Sequence, residues 1–205
     1  AIGAVSTAAG IMAGATVNAA RDLVESQSKV QVVFGESADE IRDFARSSVE
    51  NLGMSEQAAL EAAGTYGNLF TAMEIGKPLA ADMSKGLLQL AADLASFNNI
   101  DPTEALEKLR AGLVGEIEPL RSVGVNINEV LIKQKAMELG LVRGEGALTA
   151  AAKAQAAYAL IIEQTKNAQG DFSRTGDQLA NTQRKLAAEF KNLQAELGKK
   201  LLPYV

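Results

Sequence analysis

The side chains able to do chemistry in this 205-residue chain are few in kind, because it contains no cysteine and no histidine. Disulfides, thiolate nucleophiles, imidazole bases and the common zinc sites are excluded, and with them Ser-His-Asp and Cys-His catalysis. Carboxylates, lysines, tyrosines and serines remain. Glu74 lies upstream of Gly86-Leu87-Leu88-Gln89-Leu90, and a single glutamate can act as general acid and then base in glycoside cleavage. The other prominent carboxylates, Asp39, Glu40, Glu104, Glu116 and Glu118, stand at helix starts or on polar faces. Orphan helix amides and water account for them there. Gly144-Glu145-Gly146 has no strand before it and lacks the rest of a phosphate-binding loop.

The elements that would position these groups are helices. Apolar residues make up 47% of the chain and aromatic ones only 4%, so a core is built from Ala, Leu, Val and Met, a composition that favours helix. No alternating strand pattern runs longer than four residues. The expected fold class is all-α: an Ala-rich bundle of about eight or nine helices with short connections, and an extended apolar helix at the N-terminus. The net charge of −5 supplies no basic field for a phosphate backbone, so no specific nucleic-acid binding is expected.

Three regions are expected. Residues 1–27 form an apolar-to-polar helix reaching about Val30. Its first twenty residues carry no charge and contain Gly10-x-x-x-Gly14. They suit close packing inside a bundle, and at roughly 30 Å they would also span a hydrocarbon core. Residues 28–170 form a helical core. Val32, Val33 and Phe34 make a short apolar patch closed by Gly35; one helix covers Ser37–Leu52, and Ser55 caps the next. Gly64 and Gly67 inside that helix call for a close neighbour. Pro78 opens a helix striped by Leu79, Met83, Leu87, Leu90, Leu94 and Phe97, read as core.

Asn98-Asn99-Ile100 ends that helix and Asp101-Pro102-Thr103-Glu104 starts another, with Asp as N-cap and Pro at the first helical position. Gly112, Gly115 and Pro119 shape a turn, with a short helix beginning near Glu116. Asn126-x-x-Glu129 reads as a capping box, and an Ala-rich helix runs from Leu148 or Thr149 to about Thr165. Residues 171–205 form a C-terminal helix capped by Thr175-x-x-Gln178. Its Leu179, Gln183, Leu186, Phe190, Leu193 and Leu197 step alternately by four and three, a heptad seam of about three repeats. Such a seam serves equally for packing on this chain's own helices and for a self-associating coiled coil.

Two resemblances attach to these residues. Gly86–Leu90 resembles the Gly-Leu-Met-Gln-type signature of lytic transglycosylases, helical enzymes with one acid/base glutamate. The Glu-Ser pair of that family is here Glu74-Ile75, and no aromatic-rich sugar cleft follows. The expected reading is therefore one turn of an amphipathic helix and no enzymatic activity.

The second resemblance covers most of Ser28–Leu202. Ser28–Gly35 (SKVQVVFG), Leu52–Phe70 (LGMSEQAALEAAGTYGNLF), the block LASFNNIDPTEALEKLRAGLVGEIEPLRSVGVNI within Leu90–Asn128, and Tyr158–Asn181 (YALIIEQTKNAQGDFSRTGDQLAN) occur in this order. They resemble the conserved region of tail tape measure proteins of long-tailed bacteriophages and related tail-like particles. The resemblance implies a structural protein in the tail-tube lumen that sets tail length and leaves at genome ejection. It implies the virion as location, with host cytoplasm during assembly and the host envelope after ejection. The implied partners are further copies (a trimer or hexamer), tail-tube and distal tip proteins, assembly chaperones and, through residues 1–20, a transient host membrane. It assigns no catalytic, cofactor-binding or metal residue and no cofactor. Since the chain starts at Ala1 rather than Met, a segment of a longer polypeptide is expected. A cross-link-free, small-residue core suits a domain that must thread a narrow channel.

Overall fold

In a computed structural model, residues 2–142 and 146–204 are described, with side chains from residue 14 onward and that of Tyr204 excepted. All elements among them are helical: α1 (Ile2–Phe34), α2 (Ala38–Arg46), α3 (Ser48–Leu52), α4 (Glu56–Ala72), α5 (Lys77–Asn98), α6 (Pro102–Leu113), α7 (Glu118–Arg121), α8 (Glu129–Glu138), α9 (Ala150–Gln164), α10 (Asp171–Arg174) and α11 (Leu179–Leu201). Short 3-10 turns cover Gly35–Ser37 and Leu202–Tyr204. The all-α expectation holds. Of the eleven helices, three (α3, α7 and α10) have five residues or fewer, so the longer ones number as expected.

The core is centred on α5, which packs against α4 and α6 and is touched by α10. Beyond the expected stripe, α5 also buries Leu88, Ala91, Ala92 and Ala95. Small residues let neighbours approach it on several sides, whereas the two ends of the stripe, Leu79 and Phe97, are exposed. On one flank, α4 packs against α1 and α1 against α11; on the other, α6 meets α9, which pairs with α8.

The close approach expected at Gly64 and Gly67 is made by α1: a Cβ on Gly67 would overlap the Phe34 ring, and one on Gly64 would press on the Lys29 stem. That explains why α1 runs on through Val32–Phe34 instead of ending near Val30. Phe34 is fully buried against α4 and carries the helix with it, and the chain turns only at Gly35, whose φ is +60°.

Other expectations need correction. Ser37–Leu52 is not one helix. It breaks at Ser47, whose hydroxyl donates to the Phe44 carbonyl, while Ser48 donates to the Met54 carbonyl; such local bonds compete with the helical ladder. Gly112 does not loosen the chain but lies buried in α6, where a Cβ would collide with Leu120. The turn is made at Gly115, with φ +99°. The cap of α8 is Asn128, accepting from Leu131 N at 3.0 Å, not Asn126. The cap of α11 is the backbone of Gln178, and Thr175 is engaged elsewhere. The cap at Ser55 forms as expected (3.3 Å), as does that at Asp101, which accepts from Thr103 N at 2.8 Å, and of the two starts offered for α9 the structure uses Thr149, whose hydroxyl accepts from Ala152 N at 3.1 Å. Glu104 turns to Lys108 at 3.2 Å.

Among the described residues no helix is long and apolar enough to cross a membrane. Of Gly10-x-x-x-Gly14, Gly10 lies outside the residues whose side chains are described, and a Cβ on Gly14 would meet nothing within 4 Å.

Candidate functional site

Glu74 sits on the turn after α4, exposed and in the left-handed region at φ +64°. Gly86–Leu90 is one turn of α5 with Leu87, Leu88 and Leu90 buried. Gly86 is where Tyr158 of α9 crosses, and any Cβ there would collide with its hydroxyl. Packing against Tyr158 thus accounts for this glycine. Among the described residues no group of three or more carboxylates is placed to hold a metal ion. A groove of roughly 410 Å³ lies between α4 and α6, lined by Ala58, Ala62, Tyr66 and Leu106 with Glu61 and Arg110. Burial pushes the Tyr66 phenol far above its usual range, despite Arg110 nearby, and its hydroxyl donates to the Leu106 carbonyl at 2.5 Å. A second cleft of roughly 800 Å³ is bordered by Leu113, Ile117, Ile132 and Ala157, with Lys133 and Lys153.

The most elaborated polar region lies where α5 meets α10 and the start of α11. Asp93 is 2% exposed, in the middle of the α5 core face. Its two oxygens accept from Gly170 N (2.9 Å), just before α10, and Phe172 N (3.1 Å), in its first turn. Burial raises its pKa, as does Asp171, against the lowering effect of those two amides. One turn on, Ser96 donates to Asp171 at 2.7 Å. Asn181 donates to Ser96 (3.0 Å) and Thr175 (2.9 Å) and accepts from Arg184 at 2.6 Å. Arg184 also donates to the Ile100 carbonyl at 2.8 Å, closing the exposed end of α5. Among the described residues every buried side-chain polar atom has a partner, as buried polar networks require.

This network fixes how α11 is turned. Asn181 and Arg184 anchor its first turns. Lys185 pairs with Glu50 at 3.0 Å and lies over the Phe172 ring, and Asn192 accepts from Glu56 N at 2.9 Å. Near the other end, Gly198 meets α1 so closely that a Cβ would overlap the Thr16 carbonyl. The inward face of α11 is therefore Asn181, Ala188, Ala195 and Gly198. The heptad seam lies on the opposite side: Leu179 is 73% exposed, Leu186 70% and Phe190 57%, with Leu193, Leu197 and Leu201 also exposed. Among the described residues, the seam is not packed on this chain's own helices. Small residues, not the leucines, allow α11 to lie against α1.

No protein-family model matches this chain, and no curated protein or solved structure matches it. Functional weight therefore falls on the residues themselves. Two features escaped the sequence reading, and each has a signal in it. Asp93 is a lone charge inside the apolar run Leu90–Ala95. The small or short residues Asn181, Ala188 and Ala195 recur every seven positions, one face away from the large ones.

Proposed function

We propose that this chain is a segment of a tail tape measure protein, a non-enzymatic structural component of the tail-tube lumen of a long-tailed bacteriophage or a related particle. The observation that carries the proposal is the ordered run of blocks from Ser28–Gly35 to Tyr158–Asn181. All four blocks supply contacts on which the bundle depends: Phe34 against Gly67, α5 into α6, and α10 with Asn181 on the end of α5. In this reading several copies lie side by side in the tube, as a trimer or hexamer, in contact with tube and tip proteins and, before that, with assembly chaperones. Membrane contact through residues 1–20 belongs to ejection, because Val17 and Ala20 are buried here and α1 must first leave α11 and α4.

The test uses the full-length protein in its particle. In-frame removal of residues 28–202 is expected to shorten tails, by roughly 260 Å if the segment spans the lumen as extended helix at ~1.5 Å per residue. Antibodies to the segment are expected to label purified particles only after the tube is opened. Unchanged tail length together with absence of the segment from purified particles would overturn the proposal.

A further inference from the structure

The outward seam of α11 is an interaction surface, and we propose that its occupant is the same seam of a second copy of this chain, paired in parallel. Leu179, Leu186, Phe190, Leu193, Leu197 and Leu201 stay exposed to between 39% and 73% on one side of a 23-residue helix. Together they leave a strip of apolar surface on the order of 500 Å². That is at the upper end of the largest patch a monomer ordinarily leaves, a size at which such patches are often functional, and a major part of the roughly 800 Å² per partner of a stable interface. The helix is already held by Asn181, Arg184, Asn192 and Gly198, so pairing does not have to order it first.

The charges beside the seam select partner and direction. Leu179, Leu186 and Leu193 repeat as one core position of the heptad, and Gln183, Phe190 and Leu197 as the other. One flank then carries Thr182, Glu189 and Glu196, and the other Ala180, Ala187, Gln194 and Leu201. In a parallel pair these two flanks face each other and bring no like charges together; the like pair that remains is Lys200, seven positions after Leu193 at the C-terminal end of the seam. In an antiparallel pair, Phe190 opposite Leu193 brings Glu189 against Glu196 of the other copy, twice, with nothing opposite in sign on the far flank. Neither glutamate forms an ion pair among the described residues.

The inference stands on the face of α11 alone and needs nothing of the tail reading. Sedimentation of the 205-residue chain up to ~100 μM is expected to show concentration-dependent self-association. In L186E/L193E that association is lost with the thermal melt unchanged, because both positions are exposed. Direction is read by oxidative cross-linking, which the absence of native cysteine makes clean. Gln183→Cys is expected to form a disulfide with itself. A chain that stays monomeric, a double variant that still associates, or a cross-link formed only when Gln183→Cys is mixed with Lys200→Cys would each overturn the proposal. So would retention of the wild-type chain by anionic vesicles that the double variant loses. None of these outcomes bears on tail length, so the proposed function is tested separately.

Discussion

Helices α5 and α11 are nearly the same length, 22 and 23 residues, and both carry large apolar residues at three- and four-residue steps. Yet the α5 stripe is buried from Met83 to Leu94, while that of α11 faces solvent throughout. The difference lies in the residues between the stripes. Around the leucines of α5 stand Ala80, Ala81, Ser84, Ala91, Ala92 and Ala95, which admit neighbours on several sides. On α11 the small residues Ala188, Ala195 and Gly198 share the inward face, while Ala180 and Ala187 stay exposed beside the leucines. The small face wins the close contact with α1, because a helix crossing at Gly198 approaches further than one resting on leucines. An apolar stripe therefore identifies a helical face that favours burial, and its neighbours decide whether this chain provides it.

The contrast can be broken by mutation, beginning in the interior. Leu87→Ala in α5 removes a fully buried side chain and is expected to cost about 3 kcal/mol in a denaturant titration. A loss under 1 kcal/mol would mean that α5 is not the centre of the core. Asp93→Ala leaves the Gly170 and Phe172 amides without an acceptor and is expected to cost about 2 kcal/mol. The Asp93 carboxyl should titrate above the usual aspartate value in a carbon-detected NMR experiment. The folded state then holds this proton more tightly than the unfolded one. Its ionisation opposes folding as pH rises from the usual carboxylate value through the raised one, and relative to Asp93→Asn the native chain loses stability across that window. A carboxyl titrating below its usual value would reverse that sign.

Smaller effects sharpen the account of α11. Gly198→Val drives a branched side chain into the Thr16 backbone and is expected to cost about 2 kcal/mol, with faster amide exchange along the end of α11 and residues 16–20 of α1. Unchanged exchange would show that the two helices are not in close contact there. Asp101→Ala deletes the cap of α6 and is expected to lower stability by about 1 kcal/mol. Leu186→Ala, on the outer seam, is expected to change the stability of the dilute chain by no more than about 0.5 kcal/mol. A loss comparable to that of Leu87→Ala would place the seam in a buried setting and remove the contrast.

Much of the fold could be read in advance where the cause is local. Asp101-Pro102, Ser55 and Thr149 satisfy amides within their own first turns, and Asn99 ends α5 in the left-handed conformation with φ +52°. The break at Gly35 is of the same kind. The reading failed where a residue's role depends on a distant one. Thr175 matches a cap pattern but is drawn to Ser96 and Asn181. Gly112 looks like a turn residue and is instead the seat of Leu120. Asp93 looks like another surface charge until α10 arrives, 77 residues along the chain, with two amides to be satisfied.

By itself the sequence determined an all-helical chain with no thiol or imidazole chemistry, most helix ends, and two long amphipathic helices. Those follow from composition, backbone φ preferences and hydrogen bonds within a few residues. Only the tertiary structure decided which face of each helix is turned inward. That choice depends on how closely two backbones approach, and so on where glycine and alanine on one helix meet a bulky or carbonyl-bearing surface on another. For α11 the choice leaves the leucine seam outside, where a second chain can reach it.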